Sequence, residues 1–337
     1  MKRCNRCILP ETYPGIKFDQ EGICNICQRT PDMVELTKSR EGLKEKMDDL
    51  IIQKKDLSKY DCIVAYSGGK DSTYALIKLV KEYKLNCLAI TIDNGFIAER
   101  AIENCKIITG ALGVDFMTFA PAKEFMFNMY KSSVENEVHN KPALKRASAV
   151  CNSCIGLINT FMIKTALEKN IPIIAGGYIG GQVPKDAAIL HLNLDFQLTS
   201  KKQLLEKYEA FFGQKASHYF ELSEEEINRY KFEELIVINP LLAYSVTEEE
   251  IKEEIKEYGW KMPENTGANS SNCLLNDFGI YAHYKKYNYN PYIAEIAEQV
   301  RYGLMTKETA IKKAETIPSL KEVSHLSDKI GVEQSEL

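Results

Sequence analysis

No run of 18 consecutive apolar residues occurs in the 337-residue chain, so a bilayer-spanning helix of ordinary length is not expected. The opening Met1-Lys2-Arg3-Cys4 is not followed by the apolar segment of a secretion signal. Both absences point to a cytoplasmic protein without a membrane partner. A basic stripe is also missing. Lys and Arg total 43 against 47 Asp and Glu, a net charge of −4, whereas binding to a phosphate backbone calls for clustered positive charge. A nucleic-acid partner is therefore disfavoured. Lysines alternate with glutamates, as in Glu248-Glu249-Glu250-Ile251-Lys252-Glu253-Glu254, the pattern of a solvated helix face. There is no internal repeat and no low-complexity tract. The five histidines, His139, His191, His218, His283 and His325, show no spacing to a carboxylate or to one another that suggests a metal site or a catalytic pair.

Ten cysteines are present. In a long chain with no secretion signal they are expected to be reduced, with metal or catalytic roles open to them. The length and the 45% hydrophobic composition suit one sizeable core with smaller appendages. Residues 1–28, dense in Cys, Pro and Gly, read as a small module. Residues 29–58 read as a linker helix with Met33, Leu36, Leu43, Met47, Leu50 and Ile51 on its apolar side. From 59 to 245 the pattern alternates: strands at Cys62–Ala65, Leu88–Ile92, Val114–Phe119 and Ile171–Ala175, with helices near 72–83, 98–111, 123–138 and 155–169. Such short apolar strands between helices predict an α/β fold, a parallel sheet covered by helices on both faces, with ligands at the carboxyl ends of the strands. The Gly-containing segment 176–185 is expected to be a long functional loop. Residues 202–235 and 247–258 read as helical, the latter capped by Thr247 with Glu250. Residues 246–320 form a C-terminal helical region, and 321–337 read as a polar tail.

The first strand runs into Ser67-Gly68-Gly69-Lys70-Asp71-Ser72, and a helix follows. The two glycines let the backbone approach an anion, and the first turn of the helix offers N–H groups and a favourable dipole; Ser67 and Ser72 add hydroxyls. The spacing is not that of a Walker A loop. The string S-G-G-K-D-S in an α/β chain resembles the signature of the PP-loop, or N-type, ATP pyrophosphatases, whose fold is of the adenine nucleotide alpha hydrolase kind. The resemblance implies ATP cleavage between the α and β phosphates, adenylation of a substrate oxygen, and its displacement by a nitrogen or sulfur nucleophile. Ser67, Gly68, Gly69, Lys70, Asp71 and Ser72 then hold ATP, and Asp71 is a candidate for organising Mg²⁺. Asp93, at the end of the second strand, corresponds to the adenine and ribose site, or else closes a strand-ending turn. Gly176 and Gly177 resemble the approach to the α-phosphate. Lys185 either balances phosphate charge or is an ordinary surface lysine.

Cys4-x-x-Cys7 and Cys24-x-x-Cys27 have the spacing of a four-cysteine Zn²⁺ site, with another metal as the competing reading. Such a site compensates for the small core of a module this short. Cys151-x-x-Cys154 sits just before a helix and is joined in the reading by the late Cys273. A helix N-terminus favours thiolate, and three cysteines suit a 4Fe-4S cluster with one open iron; a structural role is the alternative. Cys62, Cys87 and Cys105 lie among apolar neighbours and read as buried small hydrophobes.

The opening C-x-R-C-I-L-P-E-T-Y-P-G-I-x-F-D-x-x-G-I-C-N-x-C, the phosphate loop, Tyr289-Asn290-Pro291-Tyr292 and Arg301-Tyr302-Gly303-Leu304-Met305-Thr306 resemble the zinc-containing N-acetyl sugar amidotransferases of surface-polysaccharide biosynthesis. That resemblance implies ammonia from a separate glutaminase. Cys151-x-x-Cys154 departs from it. A C-x-x-C after the third strand plus one late cysteine is similar instead to the iron–sulfur-dependent PP-loop sulfurtransferases. Sulfur insertion into a small-molecule substrate, with a sulfur donor, is the reading preferred here; sugar amidation is the alternative. An exposed loop and the C-terminal helical region leave room for a homodimer.

Overall fold

The structure, a computed structural model, describes residues 1–333. Six strands, β1 (Cys62–Ala65), β2 (Cys87–Ile92), β3 (Asp115–Phe119), β4 (Ile173–Ala175), β5 (Ile189–Leu192) and β6 (Leu235–Ile238), form one sheet in the order β3-β2-β1-β4-β6-β5. All neighbours are parallel except β5, which runs antiparallel to β6 at the edge. The four strands expected from the sequence are β1 to β4, which lie side by side from the β3 edge inward; β6 and β5 extend the sheet beyond them, and the expectation of a wholly parallel sheet is corrected at the β5 edge. β5 lies beyond the loop expected at 176–185; three of its four residues, Ile189, Leu190 and Leu192, are apolar, yet none is fully buried, as suits an edge position.

Helices follow in chain order: α1 (Asn25–Gln28), α2 (Met33–Lys54), α3 (Lys70–Lys81), α4 (Glu99–Leu112), α5 (Lys123–Glu135), α6 (Lys141–Leu144), α7 (Ala149–Lys169), α8 (Leu194–Phe212), α9 (Ala216–Phe220), α10 (Glu224–Arg229), α11 (Glu248–Lys256), α12 (Asn276–Tyr287), α13 (Ile293–Arg301), α14 (Lys307–Glu315) and α15 (Leu320–Ile330). Where the sequence reads as helical over 202–235, the chain makes three helices and the start of β6. Gly213, at φ 88°, ends the first, and a capping box of Ser223 and Glu226 starts the third.

Strand alternation divides the interior into two cores. Ile63, Leu88 and Ile90 face one core, which also contains buried residues of α5, α7, α12 and α15. Cys62, Val64, Cys87 and Ala89 face the other, together with α2, α3, α4 and α11. Helices thus cover both faces of the sheet. Cys62, Cys87 and Cys105 are buried in the second core. A third core joins the four N-terminal cysteines to α13 and α14. The polar tail expected over 321–337 is corrected in part: α15 buries Val323, Leu326 and Ile330, and residues 334–337 lie outside the described residues.

Although no uninterrupted apolar run of bilayer length exists, α7 is by length and composition apolar enough to cross a membrane. Its Leu157, Met162, Ile163, Ala166 and Leu167 pack into the first core, which accounts for that composition.

Candidate active site

A cavity of about 290 Å³ opens where the carboxyl ends of β1, β2, β4 and β6 converge, the switch point at which open α/β sheets bind ligands. β1 ends at Ala65, and the chain turns through Gly68 (φ +71°) into α3, whose N-cap is Gly69. Gly68 is required twice over: its φ lies in the left-handed region, and a Cβ there would stand 2.0 Å from the Ala101 carbonyl oxygen. Its own carbonyl accepts from Trp260 Nε1 at 2.9 Å, so the chain's single tryptophan fixes the loop from outside. Ser67 and Ser72 bring their hydroxyls to 3.1 Å of each other over the cavity.

Lys70 and Asp71 pair at 2.8 Å, and Asp71 faces both this cavity and an adjoining one of about 50 Å³. The Lys70 ammonium is opposed by burial but held charged by Asp71, Glu248 and Glu295. Burial in turn raises the Glu295 carboxyl to about 7, against the pull of Lys70. Gly176 and Gly177 form the opposite wall. A Cβ on Gly177 would lie 2.6 Å from Ser72 Cα, so the loop after β4 touches the phosphate loop backbone to backbone.

The remaining sequence candidates divide. Asp93 accepts from Gly95 N–H at 3.0 Å, closing the strand-end turn, while Thr91 and Asn94 beside it line the cavity. Lys185 lies in the adjoining pocket and donates to Ser39; it does not line the strand-end cavity. Asn239, at the end of β6, was not singled out by the sequence. Its Nδ2 donates to the Ala187 carbonyl at 2.6 Å, and its Oδ1 is buried with no partner among the described residues. It lines the cavity, where such an oxygen can accept from a ligand. Ser271 was equally missed as a phosphate-loop residue; its Oγ accepts from Lys70 N–H at 3.0 Å.

The segment containing Ser271 also carries Cys273 into place. Ile97 and Cys273 form an antiparallel bridge, flanked by Ala98 N–H to Asn272 O and Leu274 N–H to Phe96 O. Asn94 Nδ2 then lies 3.6 Å from Cys273 Sγ and 3.7 Å from Cys154 Sγ. Cys151 Sγ is 3.9 Å from Asn276 Oδ1, and the charges of Cys154 and Cys273 bear on it. Cys151 and Cys154 stand in the first two turns of α7, which begins at Ala149 behind the N-cap Ser148, where the sequence reading had them before the helix. Nor does the helix terminus dominate their ionisation: burial pushes Cys151 up to about 12 and Cys154 up to about 11. The three sulfurs are not drawn together within 4.8 Å as the N-terminal four are.

At the N-terminal centre the sulfurs of Cys4, Cys7, Cys24 and Cys27 all lie within 4.8 Å of one another and are buried. Cys4–Cys27 and Cys7–Cys24 are each 3.7 Å apart, close to the edge of a tetrahedron with metal–sulfur bonds of about 2.3 Å. Backbone N–H groups of Arg6 and Cys24 point at Cys4 Sγ.

A strand, the string S-G-G-K-D-S and a helix, set at the switch point of this sheet, give the chain its likeness to the PP-loop ATP pyrophosphatases. Over 158 residues (44% of the chain and 70% of the relative) it is 27% identical to 7-cyano-7-deazaguanine synthase of Phocaeicola vulgatus. Over 323 residues, covering 95% of the chain and 96% of the relative, it is 27% identical to a Methanocaldococcus jannaschii protein described as uncharacterized, MJ1599. A family described as a domain of unknown function, DUF8090, matches residues 192–316, from the end of β5 through α14. Among solved structures, the U34-tRNA thiolase NcsA of Methanococcus maripaludis with its [4Fe-4S] cluster aligns over 99% of both chains, at 15% identity and a TM-score of 0.36, too low for any inference from that likeness.

Proposed function

We propose that this chain is an ATP pyrophosphatase that adenylates an oxygen of a small-molecule substrate and replaces that oxygen with sulfur. The observation that carries the reading is the meeting of Cys154 and Cys273 at the Asn94 amide, because Asn94 also lines the phosphate-loop cavity.

In this reading Ser67, Gly68, Gly69, Lys70, Asp71 and Ser72 hold the phosphates of ATP, with Asp71 also directed to Mg²⁺, and Gly176 and Gly177 let the α-phosphate come close. Asn239 supplies an acceptor to the nucleotide. The acceptor oxygen attacks the α-phosphorus, pyrophosphate leaves, and the bound AMP then departs with that oxygen as a sulfur nucleophile takes its place. Lys70 offsets the charge that accumulates on the phosphates. The donor set Cys151, Cys154 and Cys273 fits a 4Fe-4S cluster: three thiols buried enough to resist ionisation until a cation arrives, two of them meeting at the Asn94 amide. Such a cluster would supply an open iron from which sulfide is delivered. The four N-terminal cysteines fit Zn²⁺ in a closed, structural site. A cavity of about 290 Å³ is close to the small-ligand range, which supports a small-molecule substrate, and a sulfur donor is the partner required.

Anaerobic purification with iron, zinc and acid-labile sulfide counted per chain tests this. About four iron and four sulfide beside one zinc, with the iron lost in a Cys151→Ala, Cys154→Ala chain, is the expected result. Zinc alone, unchanged by those substitutions, would overturn it in favour of sugar amidation with ammonia from a separate glutaminase.

A further inference from the structure

Arg301, in the last turn of α13, is 9% exposed. Among the described residues its Nη1 has no hydrogen-bond partner, and the one carboxylate within 4.0 Å is that of Glu298, at 3.8 Å from Nη2, beyond hydrogen-bond length. The thiols of Cys7 and Cys27 also act on the guanidinium electrostatically, and the neutral phenols of Tyr13 and Tyr302 lie within its field. A guanidinium cannot shed its proton, and a buried cation without a partner is strongly unfavourable. Four neutral thiols do nothing to offset that. Four thiolates around a divalent cation do, because the assembly keeps two net negative charges and its sulfurs accept hydrogen bonds.

We propose that Arg301 is the outer-sphere charge partner of a tetrathiolate metal centre at Cys4, Cys7, Cys24 and Cys27, and that it locks α13 to that centre. The inference rests on reading those cysteines as a divalent-metal site. Its reach extends to the phosphate loop. At the other end of α13, Glu295 bears on Lys70, and its Cα would be 2.2 Å from a Cβ on Gly181, so the helix that Arg301 anchors also abuts the loop after β4.

The test uses the full chain loaded with zinc or with cobalt(II), in the parent, R301M and R301K forms. R301M removes the charge and keeps an aliphatic stem, a replacement that buried charges often tolerate without loss of stability. Metal affinity, read by competition with a chelator, is expected to fall about tenfold or more in R301M and less in R301K, with a shift of the thiolate-to-cobalt charge-transfer band in both. The metal-free R301M chain should melt at or above the temperature of the metal-free parent, because there the arginine has no partner. If R301M is not recovered, R301K is judged on the same comparison. Equal falls in melting temperature with and without metal, or unchanged affinity and spectrum, would overturn the charge-partner role. A parent that binds no metal would overturn the four-cysteine reading itself, and this inference with it.

Discussion

At Gly177 the phosphate site has no slack. Its hypothetical Cβ meets Ser72 Cα at 2.6 Å and Ser72 N at 2.8 Å, both backbone atoms of the first turn of α3, so Gly177→Ala must push two main chains apart. We expect a cost of about 1–3 kcal/mol in stability and a weakening of ATP binding by about tenfold or more, measured with a fluorescent ATP analogue. Gly176→Ala should cost less stability, since its Cβ meets side chains rather than main chain, Asn239 Oδ1 at 2.4 Å and the Tyr178 ring at 3.0 Å, but it displaces the Asn239 oxygen from the cavity wall. A melting curve for Gly177→Ala that matches the parent would show that the two loops are free to part. These glycines were legible because a Gly-Gly pair ending a buried strand is itself a backbone signal. The position of Lys185 was not, because it depends on the path of a ten-residue loop, and nothing local in the sequence sets that path. His139 and His283 carry a second prediction at this scale. Burial holds each at about 4, with Lys207 adding to the effect at His139, and neither ring nitrogen of His283 has a partner among the described residues. The unfolded chain takes up these protons near pH 6.5 and the native chain only near pH 4. Their stabilisation is therefore complete above about pH 6.5 and is lost as the pH falls toward 4, by up to about 3 kcal/mol per histidine. Glu295, raised to about 7, acts in the opposite sense between its unfolded pKa, near 4.5, and 7. The histidine term is accordingly read as the difference between parent and His283→Phe, whose melting temperature should fall less steeply from pH 6.5 to 4.5. Parallel slopes would remove His283 from the account.

Among elements, α15 shows how composition can hide a helix. Its stretch reads as polar, yet Val323, Leu326 and Ile330 recur at helical spacing and are buried. Ser319 and Glu322 form a capping box at its start, and Gly331 closes its end at φ 75°. Three buried apolar residues in eleven suffice because only one face meets the core. Ile330→Ala should cost about 2–5 kcal/mol. α15 packs on α12 and α5, and α12 begins three residues after Cys273, so the variant should also make Cys273 react faster with a thiol reagent. A destabilised chain with an unchanged Cys273 rate would confine α15 to a stability role. β1 to β4, the phosphate loop and the helices α3, α4 and α5 are the opposite case: each carries its own apolar pattern or glycine signal, so local reading located them to within a few residues.

Across the whole molecule, the two ends of the chain share one core. Leu9, Cys7 and Cys24 pack with Ile293, Ala297, Ala310 and Ala314, and Lys307 donates to the Asn5 carbonyl across 302 residues of sequence. Periodicity in either segment reveals an apolar face but not which face it meets, so the sequence suggested a module and a helical region without joining them. The N-terminal segment is too short to hold this surface in place by its own apolar contacts, and on the metal reading its cysteines need a cation to stay together at the distances seen. Metal bound only by the folded form stabilises it through mass action, by about 4 kcal/mol at a free concentration a thousandfold above Kd. Chelation should therefore lower the melting temperature by several degrees, make the midpoint depend on free zinc, and expose an apolar surface that binds a hydrophobic dye. It should also weaken ATP binding, because α13 joins this core at Ile293 and Ala297 while its Glu295 bears on Lys70. Cys24→Ser, measured with and without added zinc, separates the possible results. A variant that melts like the chelated parent and no longer responds to zinc supports a metal-held third core, whereas a variant with the parent's zinc dependence would mean that the cation binds elsewhere.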